Sequence, residues 1–371
     1  MFVGVEGGHA PVRTITADDL TALATGATLL GTGGGGDPYI GLLMAQAAVA
    51  KHGPIPLMDL DDLPAEGLVM PAAMIGAPTV IVEKIPNGTE MRQAVRALER
   101  LLSEETVAVM SIEAGGLNSI IPLTLAAELG LPLVDADGIG RAFPEVQMTS
   151  FTIHGVPATP MSLVDDKGNT VTIETVDNLW TERFARTATV QMGGSALIAI
   201  YPMTTEVARK ASIPGTIGLA MELGRIVEAP DLGGEERLRR LLARMRGARL
   251  FEGKVQDVLR RTTGGFARGT ATLTGYGAHQ GQLMRIEFQN ENLMALRDGV
   301  PMAMVPDLIS VLDQETLRPI TTEALAYGQR VIVVASPCQP IWRTPRGLEI
   351  AGPRYFGYDF DYVPFPGGDA A

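Results

Sequence analysis

The chain is poor in the residues that most often carry recognisable chemistry. One cysteine, Cys338, stands among 371 residues, so no intrachain disulfide can form and a reducing compartment is expected. The four histidines, His9, His52, His154 and His279, are scattered. None makes an H-x-H or H-x-x-x-H pair, so no zinc motif is readable from spacing. Aromatics supply only 5% of the chain, which leaves an aliphatic core. Basic side chains are outnumbered, 30 Lys and Arg against 42 Asp and Glu, for a net charge of −12. That balance argues against a nucleic-acid partner, which needs cationic patches for its phosphates. The one basic cluster, "EERLRRLLARMRGARL" (Glu235–Leu250), has helical spacing and reads as a solvated or subunit-contacting helix face. No unbroken apolar run reaches the ~18 residues of a membrane helix. The N-terminus has no charged segment leading into an apolar one, as a secretory signal would. A cytoplasmic protein without a membrane partner is expected.

Glycine and proline are plentiful, 43 and 25 residues, so turns and loops abound. The length suggests two domains. In the first part helical patterns alternate with short apolar runs. "ITADDLTALATGATLLG" reads as a helix capped by Thr16 or Asp18, and "YIGLLMAQAAVAKHG" as a second helix stopped by Gly53. "LVMPAAMIG" and "TVAVMSIEAGG" are buried strands ending in glycine. Strands between helices imply βαβ units, a mostly parallel sheet, and ligands at the carboxyl ends of its strands. The pattern changes near residue 160. "SLVDDKGNTVTIETVDNLW" is a strand–turn–strand, and many short strands with glycine turns follow later, which suggests a barrel or sandwich. The expected division is an α/β domain over 1–165 and a β-barrel-like domain over 166–365. A helical segment near 195–247 could pack back on the first.

Three loops invite chemistry. In "LLGTGGGGDPYIG" four consecutive glycines, Gly33, Gly34, Gly35 and Gly36, precede Asp37 and a helix. A dinucleotide loop follows a strand, and here a helix precedes, while no Gly-Lys-Ser/Thr makes it a phosphate loop. A nucleotide-dependent enzyme therefore stays as an alternative only. The run instead offers bare N–H groups to an anion or polar ring, or makes a tight interdomain turn. In "SIEAGGLNS" Glu113 ends a strand beside small residues and suits acid–base work, while Asn118 could donate to a carbonyl or cap the next helix. In "PLVDADGIGRAFPE" Asp135 and Asp137 alternate after a strand, with Arg141 and Glu145 beyond. The two aspartates would point the same way on an extended backbone. They could raise each other's pKa or bind a divalent metal such as zinc, with His154 joining in space. Arg141 could neutralise them or clamp a substrate carboxylate; an Asp turn with a surface ion pair is the plainer reading. Cys338 could be a nucleophile or inert packing. Asn290 and Glu291 in "EFQNENLMA", and Arg354 in "AGPRYFGYDFDYVP", could line an interdomain cleft or serve their turns.

Taken in order from about residue 14 to 365, "GTGGGGDP", "EAGGLNS", "VDADGIGRAFPE", "SIPGTIGLAMELGR", "TTGGFARGT", "FQNENLMA", "PDLISVLDQETLRPITTEALAYG" and "GPRYFGYDFDYVP" resemble the S-methyl-thiohydantoin desulfurase family. The resemblance implies an N-terminal three-layer α/β domain and a C-terminal β-barrel-like domain. It also implies an enzyme of hydrolase type acting on a five-membered thiohydantoin or hydantoin-like ring, with water replacing the S-methyl group. On that expectation Glu113, Asp135, Asp137 and Glu145 are the catalytic candidates. Gly33, Gly34, Gly35, Gly36, Asp37, Asn118, Arg141, Asn290 and Glu291 would bind the heterocyclic substrate. Asp135, Asp137 and His154 would be the ligands if a metal takes part. A homo-oligomer is expected; an accessory subunit of a hydantoinase-type complex is the competing reading. Valine at Gly34 or Gly35 should abolish turnover with little loss of fold.

Overall fold

The computed structural model describes residues 13–76, 80, 84, 86–263 and 266–367; His9 lies outside them. The first sheet has nine strands: β1 (Arg13–Ile15), β2 (Ile55–Met58), β3 (Leu68–Gly76), β4 (Thr106–Ser111), β5 (Leu133–Val134), β7 (Met161–Val164), β8 (Thr170–Ile173), β9 (Ser195–Ala199) and β10 (Met203–Thr204). Between them β6 (Ala136–Asp137) pairs with β11 (Ile213–Pro214) in a separate ribbon. The sheet order is β1-β2-β5-β4-β3-β9-β7-β8, with β10 also on β3.

The α/β reading holds, but the sheet is mixed rather than mostly parallel. Only β2, β5, β4 and β3 run parallel to one another; β1, β7, β8, β9 and β10 pair antiparallel. The reason is connectivity: β7 and β8 form a hairpin, and the helix Asn178–Gln191 then returns the chain so that β9 enters between β3 and β7.

The run "LVMPAAMI" is buried on both faces, as an interior strand must be. Its alternate residues feed two cores. Met70, Ala72 and Met74 face one packed with Leu23, Ala27, Val95 and Leu123 from helices on that side. Val69, Ala73 and Ile75 face the other, with Phe151, Ala185 and Ala208. Helices therefore cover both faces, giving three layers. The helix Ala17–Leu30 starts at Thr16, whose N–H and hydroxyl donate to the Asp19 carboxylate at 2.9 and 2.8 Å. It packs along the helix Thr216–Glu228, where Gly26 and Gly224 let the two backbones meet: a Cβ on either would fall 1.7 Å from a carbonyl oxygen of the opposite helix.

The second sheet is wholly antiparallel, β16-β15-β14-β13-β12-β18-β17. Its strands are β12 (Ala248–Thr263), β13 (Phe266–Gly275), β14 (Leu283–Gln289), β15 (Glu291–Arg297), β16 (Val300–Met304), β17 (Leu308–Asp313) and β18 (Arg330–Ser336). It curls into a half-barrel until β15 and β16 come against β17. Asn292 on β15 donates to the Ile309 carbonyl on β17 at 3.0 Å. Residue 165 falls within the β7–β8 hairpin, so the first sheet continues well past the expected boundary and the second begins at Ala248. The basic cluster is the helix Gly234–Met245, with Arg239, Arg240 and Arg244 paired to Glu236 and Glu222.

Candidate active site

The glycine run packs against a second glycine pair. Gly35 has φ +71°, and a Cβ there would fall 2.5 Å from the Gly115 Cα. A Cβ on Gly116 would meet the Gly36 carbonyl oxygen at 2.4 Å, and one on Gly34 would meet Glu291 Oε1 at 2.0 Å. Leu117 N–H donates to the Gly35 carbonyl at 2.8 Å, and Thr322 N–H to the Gly33 carbonyl at 2.8 Å. The loop is thus wedged between the end of β4 and the start of β15, where only glycine allows such an approach. Valine at Gly35 would break the fold along with the site, contrary to the expectation from sequence. The Gly35 and Gly36 N–H groups have no acceptor among the described residues.

Beside this wedge opens a cavity with about 640 Å³ of atom-free space, its mouth included. Gly35, Gly36, Glu113, Asn118, Glu145, Asn290 and Glu291 line it, with Met74, Phe143, Ile198 and Arg186 among the remainder. The loop after β4 puts Glu113 in its wall. Glu113 is buried, accepts from Asn118 Nδ2 at 2.7 Å and from Phe143 N–H at 3.2 Å. Burial pushes its carboxyl up to about 7 against the pull of those two donors and of Arg141. Asn118 is held in turn by the end of β3, accepting from Met74 N–H at 2.9 Å. It orients Glu113 and does not cap the helix Ile121–Leu129, whose N-cap is Ile120.

Glu291 begins β15 and faces the same cavity from the second sheet. It is buried, and its Oε2 has no hydrogen-bond partner among the described residues. Burial and the nearby Glu113 hold its carboxyl well above the usual range. Asn290, at φ +57°, spends its Oδ1 on Ala267 N–H at 2.9 Å. Glu145 is half-buried at the other side of the cavity and accepts from the Tyr355 hydroxyl at 2.6 Å and Gln147 Nε2 at 2.5 Å.

Other expected site residues lie elsewhere. Asp135 accepts from Arg13 at 2.7 Å and from Gly218 N–H at 2.9 Å, at the start of the helix Thr216–Glu228. Asp137 is wholly buried and accepts from Ile139 and Gly140 N–H at 2.9 and 2.7 Å. Burial raises it to about 8 despite those bonds, with Glu113 adding a little. The two aspartates hold different partners and do not converge, because the backbone bends at Asp135, where β5 gives way to β6. Neither lines the cavity. His154 is exposed after the short helix Ser150–Ile153. Among the described residues no three His, Cys, Asp or Glu side chains gather as a metal site.

Arg141 is fully buried and donates to the Ala142, Pro306 and Asp307 carbonyls and the Thr32 hydroxyl at 2.7–3.0 Å. It bolts the two parts of the chain together and has little left for a substrate carboxylate. Gly33 packs against Asn292 and Thr322. Asp37 is exposed, and its Oδ1 accepts from Tyr39 N–H at 2.8 Å. Burial and Asp307 push the Cys338 thiol up to about 12, which disarms it as a nucleophile.

A model of the S-Me-THD-like N-terminal domain matches residues 18–175, and one of the S-Me-THD-like C-terminal domain matches residues 176–365. The chain belongs to the S-methyl-thiohydantoin desulfurase family. The family name carries a thiohydantoin-related function. Among solved structures, an X-ray crystal structure of a protein from Chromobacterium violaceum is similar at 25% identity and TM-score 0.79, over 95% of this chain and all of that one. No curated protein matches. Three members of the site were missed in the sequence. Arg186 stacks over Phe266 at 4.5 Å and lines the cavity from an ordinary amphipathic helix. Gln147 and Tyr355 reach Glu145; Tyr355 adjoins Arg354, which instead pairs with Asp359 and Asp361 at the surface. Among the described residues no helix is long and apolar enough to cross a membrane.

Proposed function

We propose that this chain is an enzyme that hydrolyses an S-methyl-thiohydantoin or closely related five-membered ring, with Glu113 as the base that activates water. The observation that carries the reading is a cavity-lining carboxyl raised to about 7 and oriented by Asn118 and the Phe143 amide. Such a group is part ionised near neutral pH, where a general base works best. Its carboxylate removes one proton as water adds to the ring carbon that bears sulfur. The C=N bond becomes a C–N single bond and the ring nitrogen takes up a proton. As the tetrahedral adduct collapses, the C–S bond breaks, the hydroxyl oxygen becomes a carbonyl, and methanethiol and a hydantoin are released. The unengaged amides of Gly35 and Gly36 supply donors for a ring carbonyl.

The test is methanethiol release from an S-methyl-thiohydantoin by the unaltered protein and by Glu113→Gln. Glutamine keeps the Asn118 contact and loses the base, so kcat is expected to fall ~10²–10⁴-fold. Release should rise with pH through about 7 as Glu113 ionises. Full turnover by the variant, or none by the unaltered protein, would reject the reading.

A further inference from the structure

The cavity has a second carboxyl, and the two come from different halves of the chain. Glu113 lies in the loop after β4 of the first sheet, and Glu291 opens β15 of the second. The glycine wedge separates them, with Gly34 against Glu291 and Gly35 against Gly115. Their surroundings differ. Glu113 accepts two hydrogen bonds from other residues, whereas among the described residues Glu291 has only its own backbone amide as a donor, and its Oε2 is buried without a partner. The charged groups that face Glu291 are Glu113, Arg141 and Glu323. Arg141 favours ionisation but aims its donors at Thr32, Ala142, Pro306 and Asp307. The other two are acids. A buried carboxylate with no donor beyond its own backbone amide costs several kcal/mol, so the group keeps its proton, and a kept proton is one that can be given.

We propose that Glu291 is the acid that protonates the ring nitrogen while Glu113 takes a proton from the attacking water. This rests on the hydrolytic reading above and deepens it. The protons balance. In the first step the Glu113 carboxylate gains a proton from water and the Glu291 carboxyl loses one to the ring nitrogen. In the second, the adduct hydroxyl returns a proton to Glu291 as the carbonyl forms, and Glu113 gives its proton to the departing methanethiolate. Both carboxyls end as they began. Because a negative Glu113 disfavours a negative Glu291, the pair holds one charge and the roles stay separate.

The decisive variant is Glu291→Gln, run beside Glu113→Gln with S-methyl-thiohydantoin as the probe. Expected is a ~10²-fold or greater drop in kcat with little change in KM. The kcat/KM profile of the unaltered protein should be bell-shaped, and the variant should keep the ascending limb near 7 while losing the descending one. Infrared spectroscopy gives a readout independent of turnover and substrate: a carboxylic-acid carbonyl band at about pH 8 that loses its Glu291 component in Glu291→Gln while the Asp137 component remains. A band unchanged by the substitution, or a variant with full kcat and an intact descending limb, would overturn the assignment. Should the variant fail to fold, the unaltered protein still decides: a profile flat above neutrality overturns the proposal. If Glu113→Gln is inactive while Glu291→Gln is fully active, the hydrolytic reading stands and the role of Glu291 alone falls. If Glu113→Gln stays fully active, the hydrolytic reading falls first.

Discussion

Two loops at strand ends offered the same promise on paper and do different work in the fold. "EAGGLNS" carries one carboxylate; "DADGIGRAFPE" carries three and an arginine. The richer loop is mostly scaffolding. Asp135 is taken up by Arg13 and Gly218, Asp137 by its own turn, and Arg141 by a ring of carbonyls. Of its four charged residues only Glu145 reaches the cavity. The poorer loop leaves Glu113 in a cavity wall with two donors. What separates a structural polar group from a reactive one here is a place in the cavity wall, not how many charges gather nearby.

That contrast can be broken at three positions beyond the cavity. Arg141→Met should have the largest effect. It strands four buried acceptors, and a loss of ~3–5 kcal/mol is expected in chemical denaturation; a loss under ~1 kcal/mol would return Arg141 to the list of spare cations. Next is Asp137→Asn, which keeps the accepting oxygen for Ile139 and Gly140. Asp137 is raised in the fold, so its contribution is complete below the unfolded value near 4 and is lost as pH rises through about 8. The unaltered protein should lose thermal stability across that window, and the variant should lose less; equal slopes would contradict the burial argument. The smallest effect belongs to Cys338→Ala. Stability should fall by about 1 kcal/mol and methanethiol release should be unchanged, whereas an inactive, folded variant would restore the thiol as nucleophile.

Local elements were readable because their causes are local. The Thr16 start, the Gly53 stop, the β7–β8 hairpin and the doubly buried β3 follow from caps, turns and apolar runs within a few residues. The mixed sheet was not readable, since the insertion of β9 beside β3 depends on tertiary pairing across more than a hundred residues. In the site, Glu113, Gly35, Gly36, Glu145 and Glu291 could be picked out by type and place, but their grouping could not. Asp135 and Asp137 were paired from an assumed extended backbone, which the bend at Asp135 interrupts. Tyr355 and Arg186 carry no motif; Arg186 lines the cavity and Tyr355 holds the cavity-lining Glu145 only because distant segments come together there.

The entry of β9 has a practical consequence. The two family models meet between residues 175 and 176, yet β9, at Ser195–Ala199, bridges β3 and β7 of the first sheet. A protein cut at that seam would leave two interior strand edges bare, the surface that invites aggregation. The halves that sequence models treat as modules are therefore not interchangeable cassettes. A gene fusion, a split reporter or a chimera built at that junction would divide a sheet rather than join two finished parts.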